Sequence, residues 1–318
     1  MDAQSKLSMG IGHRAKTGLI ALLVFGNLVS CTQERTSSER AVPHVVVSLG
    51  VFETLVVAIG GDRVSTMNVA RGATEAHDLE LTPDQATSLH SADLVIAGPK
   101  GFQALVDDAV AARSKQTLRL DPHQASGNGV HFWIDPHQLT KASALIGASL
   151  RAVMSTDADR AYVQKRLRVV TEQLEGLATT YDARLQTHRL DALAAEHASM
   201  TPLAARYRFE VLALSGTAHD SEPTPEQIDA VAAALRAGTV QSILIEPAST
   251  RSLALAALRA AQLSGRAATE RTQVFNSLEL TAAPSKDVRS PQQALAPLTA
   301  ALDRNLASLC RALSCETR

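Results

Sequence analysis

The sequence predicts an α/β protein with two lobes, each a parallel sheet covered by helices, joined by one long helix. Three observations predict it. Short β-branched runs alternate with longer runs rich in Ala and Leu, the pattern of parallel strands buried on both faces. The sequences Thr82-Pro83-Asp84-Gln85 and Thr224-Pro225-Glu226-Gln227 mark one helix start in each half. Between the halves lies a stretch from about Asp157 to Gln186 without Pro and with Gly176 as its one Gly.

Taken in chain order, the strand candidates of the first half are Val45–Leu49, Val64–Val69, Leu94–Ala97 and Thr117–Leu120. Those of the second half are Leu193–Ala195, Val211–Leu214, Ile243–Ile245 and Val274–Phe275. Helical runs separate most of them, as βα units require. The two Thr-Pro-x-Gln starts place Thr at the N-cap, Pro where its missing N–H costs nothing, and Gln at the third position, which is a capping box. In the middle stretch Tyr162, Leu167, Val170, Leu174, Leu177 and Tyr181 recur mostly every three to four residues, which makes one amphipathic helix. Thirty residues of helix span ~45 Å, so this element is expected to be a strut between lobes; the alternative is a helix lying along one large domain. The expected division is residues 1–30 a leader, 31–42 a tether, 43–156 the N-terminal lobe, 157–189 the linking helix and 190–318 the C-terminal lobe.

The leader begins with Lys6, Arg14 and Lys16 and continues in the apolar run Gly18–Val29, too short to span a bilayer comfortably. It ends in Leu28-Val29-Ser30-Cys31, which resembles the lipobox of bacterial lipoproteins. The resemblance implies cleavage before Cys31 and lipidation of its sulfur, with the protein held by membrane lipid and facing the periplasm or the cell exterior. An ordinary secretory signal with an incidental Cys is the alternative. Losing three basic residues and one acid takes the formal charge from -1 to -3, too mild for a nucleic-acid partner. A monomer is expected. Export permits disulfides. Five residues apart on an unbroken helix, Cys310 and Cys315 would have Cα atoms ~8 Å apart, beyond the limit of roughly 7 Å. A bond therefore needs the last helix to end between them; otherwise both are free thiols.

Three of the ten histidines share one setting. His77 follows the strand Val64–Val69, His131 follows Thr117–Leu120, and His197 follows Leu193–Ala195. Ligands bind at the carboxyl ends of strands in open α/β sheets, and these three come from both halves, so they can meet in the cleft between lobes. Three imidazoles and one oxygen suit tetrahedral Zn2+; Mn2+ prefers more carboxylate, and Ca2+ or Mg2+ prefer oxygen. Taken singly, each is more readily a surface histidine. His90, His123, His137, His188 and His219 show no partner in the sequence and are expected at the surface. Trp133 is expected to pack, and Asp135 to start the helix at Pro136.

The residues around these histidines carry a family resemblance. Ile59-Gly60-Gly61-Asp62-Arg63-Val64, Gly72-Ala73-Thr74-Glu75-Ala76-His77-Asp78 with Thr82-Pro83-Asp84, Ala92-Asp93-Leu94-Val95, His131-Phe132-Trp133-Ile134-Asp135-Pro136 and Ile243-Leu244-Ile245-Glu246-Pro247 resemble the zinc- and manganese-binding proteins of ABC transporters, over about residues 44 to 312. The resemblance implies a metal site in the cleft between two βα lobes, with His77, His131 and His197 as ligands. Zinc-type members carry His at the third position, as His197 does here. It also implies delivery to a membrane permease driven by a separate ATPase. The fourth ligand stays open between Glu246, set first, and Glu75, Glu279 or a water. Asn276 stands where the family often has an Asp ligand. The His-rich loop of many zinc-type members is missing.

The expected function is thus capture of a divalent metal, Zn2+ first and Mn2+ second, without catalysis. A zinc hydrolase would need an acid/base group and a substrate pocket that the sequence does not suggest. A structural or adhesin lipoprotein would unfold without its metal. A receptor is expected to stay folded, each lobe having its own core.

Overall fold

The computed structural model describes residues 42–73, 76–121, 130–215, 223–247, 249–281 and 288–316. The leader, Cys31, the tether, Glu75, His123 and His219 lie outside them. The eight apolar runs all become strands. β1 (His44–Val47), β2 (Ser65–Asn68), β3 (Leu94–Ala97) and β4 (Gln116–Arg119) form a parallel sheet in the order β2-β1-β3-β4. β5 (Ala192–Ala195), β6 (Glu210–Ala213), β7 (Ile243–Ile245) and β8 (Thr272–Val274) repeat that arrangement as β6-β5-β7-β8. β1, β3 and β7 are wholly or almost wholly buried, as central parallel strands are. β8 starts two residues before the apolar pair Val274-Phe275. It is an edge strand, and Thr272 and Gln273 pair with Ile243 and Leu244 without being buried.

The helices are α1 (Gly50–Gly60), α2 (Pro83–Ser91), α3 (Ala104–Ala111), α4 (Pro136–Val153), α5 (Asp157–Leu185), α6 (Thr201–Tyr207), α7 (Pro225–Ala237), α8 (Ser252–Ala260), α9 (Gly265–Glu270) and α10 (Pro291–Ala312). Thr82 and Thr224 close full capping boxes with Gln85 and Gln227. Ser290 and Gln293 do the same for α10, a third instance of the motif with Ser in place of Thr. No described helix is long and apolar enough to cross a membrane.

α5 is the long helix, 29 residues capped by Thr156, or about 43 Å. It does not cross open space. Val163, Leu167, Val170, Leu174, Leu177, Tyr181 and Leu185 are buried, and α5 packs on α1, α4 and α10. The expectation of separate lobe cores is corrected here. One continuous apolar cluster runs from Val45, Phe52 and Trp133 of the first half through α5 to Leu193, Leu203 and Leu302 of the second. Two smaller clusters lie under α2 and α3 and under α7 and α8, on the outer sheet faces.

Polar bonds reinforce the join. Asp135 caps α4 by accepting from the His137 N–H at 2.9 Å, and also pairs with Arg206 of α6 at 2.8 Å. Asp182 of α5 meets His137 Nε2 at 3.0 Å and accepts from the Tyr207 hydroxyl at 2.8 Å. His137 is therefore a half-buried bridging residue and not a free surface group. His188 is also partly buried, between the carbonyls of Leu190 and Tyr207. His90 is exposed as expected.

Candidate metal centre

Four side chains from four strand ends converge. His77 follows β2, on a loop pinned where Arg71 pairs with the buried Glu53 at 2.6 Å, Asn68 accepts from the Ala70 N–H and Gln85 donates to the Val69 carbonyl. His131 follows β4 and opens the 3-10 turn Phe132–Ile134 that leads into α4. His197 follows β5 and opens the turn Ala198–Met200 before α6. The fourth residue is Glu279, after β8. Its segment is shaped by Asn276, whose side chain accepts from the Leu278 N–H at 2.7 Å, while Leu278 takes a left-handed backbone (φ 65). Asn276 is itself held by two backbone bonds to the Asn305 amide, both 2.8 Å.

One nitrogen or oxygen from each of His77, His131, His197 and Glu279 lies within 4.8 Å of the others. Ring centroids are 4.9 Å apart for His131 and His197, 5.5 Å for His77 and His131, and 6.2 Å for His77 and His197. Glu279 Oε1 is 2.7 Å from His131 Nε2, and Oε2 is 3.7 Å from His77 Nε2. His131, His197 and Glu279 are buried, and His77 is partly exposed. The carboxylate of the C-terminal half thus faces two imidazoles of the N-terminal half. Apolar groups wall the site. Phe102 sits 4.1 Å from the His77 ring and Trp133 5.3 Å from the His131 ring. Trp133 both packs and ties the halves, donating to the Ser277 carbonyl at 2.8 Å.

The two nearby carboxyls differ in charge state. Burial alone pushes Glu279 up, but hydrogen bonds from His131 and His77 outweigh it and hold the group well below the usual carboxylate range. Burial pushes Glu246 up to about 8, helped by the charges of Glu279 and Glu196, against a bond from the Ser277 N–H. Glu246 Oε1 lies 4.0 Å from His197 Nδ1 and Oε2 accepts from that Ser277 N–H at 3.1 Å. Glu246 therefore adjoins the group without belonging to it, and the Asn276 side-chain oxygen is taken up by the Leu278 N–H. Among the described residues, the carboxylate gathered with the three histidines is Glu279 and not Glu246. The repeat could have singled it out: His131 follows β4, and Glu279 follows β8, the equivalent strand of the second sheet. Three imidazoles and one carboxylate are a donor set suited to four-coordinate Zn2+.

Comparison with known proteins agrees with this picture. Residues 45–288 match the family described as zinc-uptake complex component A, periplasmic (ZnuA). The zinc-binding lipoprotein AdcA of Streptococcus pneumoniae is 20% identical over 282 residues, which cover 82% of this chain and 54% of that protein. The chain thus spans about half the length of that relative. Among solved structures, the laminin-binding protein Lmb of Streptococcus agalactiae, described as bifunctional with adhesin and metal-transporting activity, superposes with a TM-score of 0.69 at 18% identity, covering 84% of this chain and 99% of that one. The periplasmic zinc-binding protein TroA of Treponema pallidum gives 0.69 at 18% identity, covering 85% and 99%. At such identities the structures speak for a shared fold. The family match spans most of the chain, and the protein belongs to the family described as zinc-uptake complex component A, periplasmic.

Proposed function

We propose that the protein captures Zn2+ between its two halves, with His77, His131, His197 and Glu279 as ligands, and delivers it to an ABC permease and its ATPase. Lipid on Cys31 would hold the receptor at the membrane. The observation that carries this reading is the convergence of the four donors within 4.8 Å, three of them buried in a site walled by Phe102 and Trp133. Three imidazoles favour Zn2+ over Mn2+, which prefers more oxygen. AdcA and TroA, both described as zinc-binding, support the same choice.

The test is a titration of metal-free protein with Zn2+ and with Mn2+. One Zn2+ per chain should bind, more tightly than Mn2+. His131→Ala should weaken Zn2+ by tenfold or more, since even the loss of groups behind the ligands acts on that scale. An isotherm unchanged by that substitution removes the residue from the site. Binding should also weaken as pH falls below ~6, where protons compete for imidazole nitrogen.

A further inference from the structure

The end of α10 carries chemistry that metal capture does not use. The helix stops at Ala312, Ser314 takes a left-handed backbone (φ 52), and the Cys315 N–H returns to the Cys310 carbonyl at 2.9 Å. A six-residue return with the left-handed residue just before the donor is the Schellman ending, which commonly sets the side chains of its first and sixth residues against each other. That contact is usually apolar. Here both residues are cysteines: Cys310 is buried, and Cys315 is half-buried and packed against the same core. The return removes the ~8 Å separation of a continuous helix, which exceeds disulfide reach. A hydrogen bond from the Cys315 thiol lowers the Cys310 pKa, and Arg184 of α5 adds to the effect.

We propose that Cys310 and Cys315 close a disulfide that locks the C-terminal tail onto the junction between α5 and β5. The residues beside the cysteines already hold that junction. The Leu313 carbonyl accepts from the N–H groups of Arg189 and Leu190, both at 3.1 Å. Glu316 donates its N–H to the Thr187 hydroxyl at 3.3 Å and pairs with Arg189 at 3.3 Å. The bond forms by exchange with a protein or small-molecule disulfide met after export. One cysteine, as thiolate, attacks one sulfur of the oxidant and displaces the other as a thiolate. The second cysteine, deprotonated in its turn, attacks the sulfur of the first in that mixed disulfide and displaces the remaining thiolate. The two cysteines lose two protons and two electrons, and the oxidant leaves as two thiols.

The inference uses the exported location of the proposed receptor only as the source of oxidant, so geometry and location are tested apart. Protein carrying Cys31→Ser, whose only thiols are these two, is reduced, incubated with glutathione disulfide, alkylated and digested with trypsin. Cleavage after Arg311 separates the cysteines, so a linked pair of peptides 305–311 and 312–318 is expected. The midpoint of thermal unfolding should rise by about 5 °C, as for closing a short loop. Recovery of both cysteines alkylated, or each carrying glutathione, overturns the proposal. The same digest of native protein alkylated in intact cells reads the location: linked peptides are expected, and alkylated thiols there overturn the lock in the cell. Zn2+ titration of the oxidised and reduced samples reports separately on the metal site and should give equal affinities.

Discussion

Glu279 and Glu246 lie in the same corner of the molecule, yet their surroundings give them opposite charge states. Glu279 faces His131 and His77 and stays ionised; Glu246 is partly buried near other carboxylates and is held protonated up to a pKa of about 8. Glu279→Gln should therefore weaken Zn2+ by tenfold or more, whereas Glu246→Gln should cost much less, which parallel titrations check. The same contrast predicts a pH effect in metal-free protein. A carboxyl whose folded pKa is raised favours folding while protonated, so its contribution is lost as pH rises from the unfolded value of ~4.5 towards about 8. The loss is at most about 1.4 kcal/mol per pH unit. Denaturant melts of wild type should decline over that window, and Glu246→Gln should remove the decline. At this scale the three histidines were legible, because each lies in the segment that follows a strand. Glu279 was less so. It reaches the site only through the left-handed turn at Leu278 and the long-range bonds of Asn276 to Asn305, which local sequence does not encode.

Whole elements were more legible than single ligands. Strands surfaced as β-branched runs, and α2 and α7 announced themselves through capping boxes. The early start of β8 was hidden because an edge strand can be built from polar residues such as Thr272 and Gln273. The return at Cys315 was hidden because Ser314 gives no Gly or Asn signal for a left-handed residue. A close approach between elements was invisible for the same reason: it belongs to the tertiary fold. A Cβ on Gly50, at the start of α1, would sit 1.8 Å from the Thr281 carbonyl oxygen. Gly50→Ala must push away the segment that carries Glu279, and both Zn2+ affinity and stability should fall. Gly176 is the control. It lies inside α5 with open space around its missing Cβ, so Gly176→Ala should stabilise by ~0.5–1 kcal/mol and leave the isotherm unchanged.

At the scale of the whole molecule, the two sheets repeat one strand order, and the segments bearing His77, His131, His197 and Glu279 follow strands of both. Sequence alternation conveyed this two-fold plan. It did not convey that the halves share their main core, because periodicity shows which face of a helix is buried and not against what. The shared cluster around α5, the Asp135–Arg206 pair and the Trp133–Ser277 bond all join the halves without using the ligands. Metal-free protein should therefore unfold in one cooperative transition, with Zn2+ raising its midpoint by mass action. Circular dichroism that is already unfolded without metal would instead favour a structural ion.

The continuous core also limits how such a receptor can signal that it is loaded. Two shells on a free hinge would clamp shut around their cargo and shrink visibly. Here a large swing would tear apart packed aliphatic surface along much of α5, so under the proposed function a permease would have to read loop positions around the cleft. Small-angle X-ray scattering should accordingly give superimposable profiles for the empty and zinc-filled protein, while amide exchange in the loops bearing His77 and Glu279 slows on filling.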